Sequence, residues 1–148
     1  MSYWRLHYHL IWATKQRLPL IGSEKEAVIR ESLEMTMARM KLIGHAIGLV
    51  ADHVHIALSI PPTVSVADAM GRLKGGSSHR VGQRLPKATG FAWQAEYGAL
   101  SLTERALPTV IEYVQNQKQH HAANTLTYGL ERIESQAPRS RAIPQGAD

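Results

Sequence analysis

The sequence predicts one α+β domain: an antiparallel sheet with helices on one face and a further helix near the C-terminus. Three observations predict it. Segments with period-2 alternation interleave with segments of helical period, in the order β-α-β-β-α-β and then α. The length of 148 residues suits one core rather than two. Hydrophobic residues make up 44% of the chain, which fits an ordinary globular interior.

Residues 5–14 alternate, with Leu6, Tyr8, Leu10 and Trp12 on one face and His7, His9 and Ile11 on the other. Residues 15–22 hold Pro19 and Gly22 and form a loop. Ser23 then opens a helix. Ser23 and Glu26 have capping-box spacing, and Glu24 and Glu26 sit where the helix dipole favours carboxylates. Val28, Leu33, Met37, Met40 and Ile43 supply its apolar stripe, and Gly44 its stop.

Residues 45–50 and 53–60 read as two strands joined by a tight turn at Ala51-Asp52. In the second, Val54, Ile56, Leu58 and Ile60 point one way, and His53, His55, Ala57 and Ser59 the other. Pro61-Pro62 ends it. Ser65 caps a helix that runs to about Leu85, before Pro86. Within it, Gly75-Gly76-Ser77-Ser78 predicts a break or a close backbone approach, because glycine costs ~1 kcal/mol in a helix.

Residues 91–97 alternate as a fourth strand. Pro108 suits the first turn of a last long helix, to about His121, with Leu107, Val110, Ile111 and Val114 as its buried stripe. Residues 1–134 thus make one domain, and the aperiodic segment 135–148 is expected to be a flexible tail. The whole order resembles a ferredoxin-like β-α-β-β-α-β fold with one added helix.

Composition narrows the chemistry. There is no cysteine, which excludes a disulfide framework, an iron–sulfur cluster, a thiol nucleophile and a thiolate zinc site. Any metal must be held by imidazole, carboxylate or amide groups. No apolar run approaches the ~20 residues of a membrane span, and the N-terminus lacks a signal peptide's apolar core. The expected location is the cytoplasm, with no membrane contact.

The formal net charge is +5, which favours an acidic partner. The charge is uneven. Between Asp68 and Glu96 there is no carboxylate, while Arg72, Lys74, Arg80, Arg84 and Lys87 fall there. Lys15 and Arg17 form a smaller basic group. Clustered cations of this kind suit phosphates, although a solvated face carries the same pattern.

Four residues stand out as chemistry. His53-Val54-His55 places two imidazoles on one strand face, with Cα atoms ~6.6–6.8 Å apart, close enough to converge on one ion. Tyr113 and Gln117, four apart, share a face of the last helix. A glutamine oxygen is a hard ligand suited to Mg²⁺ or Mn²⁺, and a tyrosine hydroxyl is a nucleophile toward phosphorus. Ordinary polar residues and a packing tyrosine would give the same pattern piece by piece. His120-His121 reads as a pair of cations complementing the helix C-terminus. No phosphate loop of the Walker type is present, so no nucleotide cofactor is expected.

Taken in order, Asp52-His53-Val54-His55-Ile56, Lys74-Gly75-Gly76-Ser77-Ser78, Trp93-Gln94-Ala95-Glu96-Tyr97 and Tyr113-Val114-Gln115-Asn116-Gln117-Lys118-Gln119-His120-His121 form a set. It strongly resembles the single-tyrosine HUH transposases of the smallest bacterial insertion sequences, where HUH denotes His, hydrophobic residue, His. The resemblance runs from about Tyr8 to His121 and includes the domesticated, repeat-associated relatives.

The resemblance implies a metal-dependent enzyme that cleaves and rejoins hairpin-marked single-stranded DNA ends. Tyr113 would attack a phosphodiester, giving a 5′-phosphotyrosine and a free 3′-hydroxyl. His53, His55 and Gln117 would hold one Mg²⁺ or Mn²⁺ ion. Lys15, Arg17, Arg72, Lys74, Arg80 and Arg84 would meet DNA phosphates. A homodimer is implied, in which the tyrosine helix can serve the partner's histidines. A domesticated nuclease of palindromic repeats and a non-catalytic hairpin-binding protein are the competing readings.

Overall fold

The computed structural model describes residues 2–88 and 90–134, so the expected tail lies outside the described residues. Strand β1 (His7–Ala13) is followed by a short turn of 3₁₀ helix (Lys15–Arg17) and helix α1 (Ser23–Met40). Strands β2 (Ile43–Val50) and β3 (His53–Ser59), helix α2 (Val66–Arg84) and strand β4 (Gly98–Leu102) come next. Helices α3 (Leu107–Gln115), α4 (Gln117–Ala123) and α5 (Tyr128–Glu131) close the described chain. No helix among the described residues is long and apolar enough to cross a membrane.

The four strands form one antiparallel sheet in the order β2-β3-β1-β4. That is the expected α+β arrangement. Alternation divides the sheet faces as the sequence predicts. Leu10, Trp12, Val54, Ile56, Leu58 and Ile60 face α1 and α2, where they meet Ile29, Leu33, Met37, Met70, Leu73 and Val81 in the main core. Each such side chain stabilises the fold by ~1.5–3 kcal/mol when fully buried. On the other face, Ala57 packs against Val110 and Val114 of α3. The helix that carries Tyr113 therefore lies across the sheet face that carries the histidines.

Several local expectations are corrected. The fourth strand is Gly98–Leu102 and not residues 91–97. Trp93 makes only an isolated bridge to Thr14. Phe91, Trp93 and Tyr97 are drawn onto the helical core, and Trp93 Nε1 donates to Ser77 Oγ at 3.0 Å. The Lys74 ammonium meanwhile gathers the carbonyls of Gln94, Ala95 and Glu96 at 2.5, 3.2 and 3.4 Å.

Helix α2 runs unbroken through Gly75-Gly76-Ser77-Ser78. Of the two expectations there, the close approach holds: a Cβ at Gly76 would lie 3.2 Å from Thr36 Oγ1 of α1. Ser77 Oγ donates to the Leu73 carbonyl at 2.8 Å, so its hydroxyl is satisfied inside the helix.

Ser65 caps α2 as expected, accepting from Asp68 N at 3.0 Å. Ser23 does not cap α1. That helix begins with Ser23 itself, after Gly22, and Glu26 turns outward to Lys118 at 2.9 Å. The stop at its other end is Lys41, in the left-handed conformation (φ 58°), and not Gly44. The expected last helix is two helices meeting at Asn116. Asn116 N still reaches the Glu112 carbonyl and His120 N the Asn116 carbonyl, at 3.1 and 3.0 Å.

Candidate active site

The sheet register assembles the histidines. The tight turn at Ala51-Asp52 delivers His53 and His55 to one face of β3, where Ala13 and Ile11 of β1 oppose them. Asp52 Oδ1 lies 2.6 Å from His53 Nδ1. On β1, His9 lies on the same face, and its Nε2 is 2.8 Å from His55 Nδ1. Both Nδ1 atoms are thus engaged from behind, and both Nε2 atoms converge on Glu131 Oε2. The distances are 3.3 Å from His53 and 3.1 Å from His55. The His53 contact lacks hydrogen-bond geometry, so this buried nitrogen has no hydrogen-bond partner among the described residues.

The helical layer brings the nucleophile. A Cβ at Gly48 of β2 would collide with the Val114 carbonyl oxygen and lie 2.8 Å from Gln117 Cγ, so glycine lets α3 and α4 seat closely. The Tyr113 ring then stands 6.0 Å from the His55 ring and stacks on His120 at 4.5 Å. Its hydroxyl donates to Glu131 Oε1 at 2.5 Å and accepts from Thr127 N at 3.0 Å. Gln117 is buried, donating to the Tyr113 carbonyl at 3.1 Å and accepting from His121 Nε2 at 3.1 Å. The ring or the amide oxygen must release that last bond to face an ion.

Ligand atoms of His53, His55, His121 and Glu131 all lie within 4.8 Å of one another. Burial pushes the His55 and His121 imidazoles below their ordinary range, which keeps them neutral. Burial alone would push the Glu131 carboxyl up, but its contacts with His53, His55 and Tyr113 outweigh this and hold it well below the usual carboxylate range. Burial, with the hydrogen bond to Glu131 next, pushes the Tyr113 phenol up. Neutral imidazoles beside an ionised carboxylate are the protonation states a divalent cation requires. The unpartnered His53 Nε2 and this nitrogen–oxygen donor set fit a metal ion.

The structure brings Tyr113, His53, His55 and Gln117 together, as the motif spacing implies. It also adds three residues. Glu131 had no spacing signal, because it follows an irregular stretch after α4. The sequence presents His121 as a helix-end cation. Its ring instead stands 4.7 Å from that of His53. Its place two turns beyond Tyr113 was the available signal. His9 was placed by its strand face, and the sheet register supplied the rest.

The basic residues do not gather at this site. Lys15 and Arg17 come nearest: Thr14 N binds the Asp52 carbonyl at 2.9 Å, so these exposed cations flank the turn leading into His53. Arg72, Lys74, Arg80 and Arg84 belong to α2, across the sheet from the histidines. Lys74 is committed to the carbonyls of residues 94–96. Arg80 and Arg84 both reach Glu31 of α1, at 2.7 and 3.3 Å. The run that lacks carboxylates in sequence therefore has one in space. Arg72 is exposed and lies 3.5 Å from Asp68.

Known proteins resemble this chain in sequence and fold. The chain is 28% identical over 119 residues to the ISDra2 transposase TnpA of Deinococcus radiodurans, an alignment covering 77% of this chain and 85% of that protein. It is 35% identical over 75 residues to the transposase for insertion sequence element IS200 of Salmonella typhimurium, covering 51% of this chain and 49% of the other. A crystal structure of a Deinococcus radiodurans protein described as a candidate transposase superposes with a TM-score of 0.63 at 28% identity, over 79% of this chain and 95% of that one. A REP-associated tyrosine transposase bound to a REP hairpin shares the fold, with a TM-score of 0.62 at 13% identity, over 82% of this chain and 74% of that one. The family profile described as "Transposase IS200 like" matches residues 2–117, so His121 and Glu131 lie beyond the matched span. With a match over most of its length and HUH, tyrosine and glutamine all at one site, the chain belongs to the IS200-like transposase family.

Proposed function

We propose that this transposase cleaves and rejoins single-stranded DNA through a covalent bond to Tyr113. One observation carries the reading: a single carboxylate, Glu131, meets the Tyr113 hydroxyl with one oxygen and the His53 and His55 Nε2 atoms with the other. Nucleophile and ion-binding nitrogens are thus within one side chain of each other.

His53 and His55 would hold the ion, with Glu131 as carboxylate ligand and Gln117 or His121 completing the set. Mg²⁺ and Mn²⁺ suit the oxygen share of that set. A bound ion supplies Lewis-acid polarisation of the scissile phosphate. Tyr113 Oη forms the new bond to phosphorus, and the bond from phosphorus to the 3′ oxygen breaks. The phenol proton already faces Glu131 Oε1, and the departing oxygen takes up a proton to become a 3′-hydroxyl. The phosphotyrosine keeps the bond energy, so rejoining is the reverse attack by a 3′-hydroxyl.

The substrate in this reading is DNA with a hairpin beside the cleaved strand. Lys15 and Arg17, exposed beside the turn into His53, are the cations proposed to meet the cleaved strand, and α2 offers Arg72. Tyr113 already stands against its own chain's His55, which favours action within one subunit even in a homodimer.

Single-stranded hairpin DNA incubated with the protein and Mn²⁺ should give an adduct that survives denaturing electrophoresis. Tyr113→Phe should bind the same DNA and form none. Tight binding by the wild type with no adduct on any end of its own element would overturn the proposal. An adduct persisting in Tyr113→Phe would move the nucleophile to another tyrosine.

A further inference from the structure

His9 stands directly behind His55 and takes no part in the metal cluster described above. It lies on β1, next along the same sheet face from Ile11, which opposes His55 in the register. It is 1% exposed, so it meets neither solvent nor substrate. Its Nε2 is 2.8 Å from His55 Nδ1, with the ring centroids 5.0 Å apart.

One proton lies between those two nitrogens, and its position decides what His55 presents at its far side. With the proton on His9 Nε2, His55 Nδ1 accepts. His55 then carries its own proton on Nε2, where it donates to Glu131 Oε2 at 3.1 Å. With the proton on His55 Nδ1, His9 Nε2 accepts, and His55 Nε2 is a bare lone pair. Each ring keeps one proton in both arrangements: on both rings it moves from Nε2 to Nδ1.

His53 has a different partner. The Asp52 carboxylate accepts only, so it favours the Nδ1–H form of His53 whether or not an ion is near. An imidazole can either donate or accept. We infer that His9 is a positioning residue that holds His55 in whichever tautomer its far side requires, by switching between acceptor and donor at Nδ1. It accepts from His55 Nδ1–H when a divalent cation is bound, and donates to Nδ1 when Glu131 alone faces the ring. The inference rests on the proposed ion site and adds the group that prepares one of its ligands.

The test is Mn²⁺ affinity of the full chain without DNA, read by electron paramagnetic resonance. His9→Gln should bind Mn²⁺ nearly as wild type does, because its amide oxygen accepts from His55 Nδ1–H. His9→Leu should bind ~10–100-fold more weakly, the usual effect of losing such an outer partner. His9→Leu with wild-type affinity would overturn the inference while leaving the ion site in place. Wild type that binds no Mn²⁺ would overturn both. A second measurement needs no variant. Nitrogen-15 spectra of the wild type with Mg²⁺ should show His55 protonated on Nδ1, and an Nε2–H form under those conditions would overturn the inference even if His9→Leu does not fold.

Discussion

Glu131 Oε1 accepts the hydrogen bond of the Tyr113 hydroxyl at 2.5 Å, so the nucleophile is held by the carboxylate that also faces His53 and His55. A residue beyond the family-matched span thus ties the two halves of the site together. Glu131→Gln keeps the shape and removes the charge. As a direct ligand the carboxylate should matter at least as much as an outer partner, so Mn²⁺ binding should weaken ~10–100-fold or more and adduct formation slow, with hairpin binding unchanged. Calorimetric titration measures the first effect. Unchanged Mn²⁺ affinity would show that the ion is held by His53, His55 and Gln117 without the carboxylate.

Gly48 controls where Tyr113 and Gln117 stand. A methyl group there meets the Val114 carbonyl oxygen, which is helix backbone and cannot swing aside. Overpacking of this sort costs ~1–3 kcal/mol and shifts the pressed element. Gly48→Ala should therefore lower the urea midpoint and reduce adduct yield, even under conditions where the protein stays folded. A stable variant with full adduct yield would show that α3 and α4 have room to move.

How far these features were legible depends on how local their causes are. The HUH pair was readable because strand alternation alone puts His53 and His55 on one face. Tyr113 and Gln117 were readable from helical spacing, which survives the irregularity at Asn116. The fourth strand was misplaced because Phe91, Trp93 and Tyr97 alternate like strand residues, yet Lys74 and Ser77 on α2 draw the segment off the sheet. Glu131 was invisible: no periodicity links a four-residue helix to a strand more than seventy residues earlier.

The buried imidazoles predict a pH-dependent fold. Burial, with His55 beside it, pushes His9 down from 6.5 to about 3. Between those values the unfolded chain binds a proton at His9 and the folded chain does not. Stability is therefore fully present above the unfolded value and is lost as pH falls through the window, by ~1.4 kcal/mol per pH unit from this residue. His55 and His121, also lowered by burial, act in the same direction. Urea unfolding of chelator-treated protein should show a clear loss from about pH 7 to about pH 5, and His9→Gln should lessen it. A flat profile in the wild type would contradict the burial of His9.

The basic residues of α2 divide into three kinds, and salt dependence separates them. Each phosphate contact contributes about −0.9 to the slope of log affinity against log salt on duplex DNA. Arg72 is exposed, and its contact with Asp68 at 3.5 Å holds it weakly, so Arg72→Ala should lower that slope by about one unit if α2 meets the hairpin stem. Lys74 supports the 94–96 backbone, so Lys74→Met should lower the unfolding temperature and leave the slope alone. Arg80 and Arg84 share Glu31. Glu31→Gln releases both, and should tighten hairpin binding at low salt and steepen the slope by up to about two units. Fluorescence anisotropy across a salt series reads all three variants. If none of them changes the slope, the hairpin binds away from α2, and Lys15 and Arg17 beside the Asp52 turn become the phosphate contacts to test.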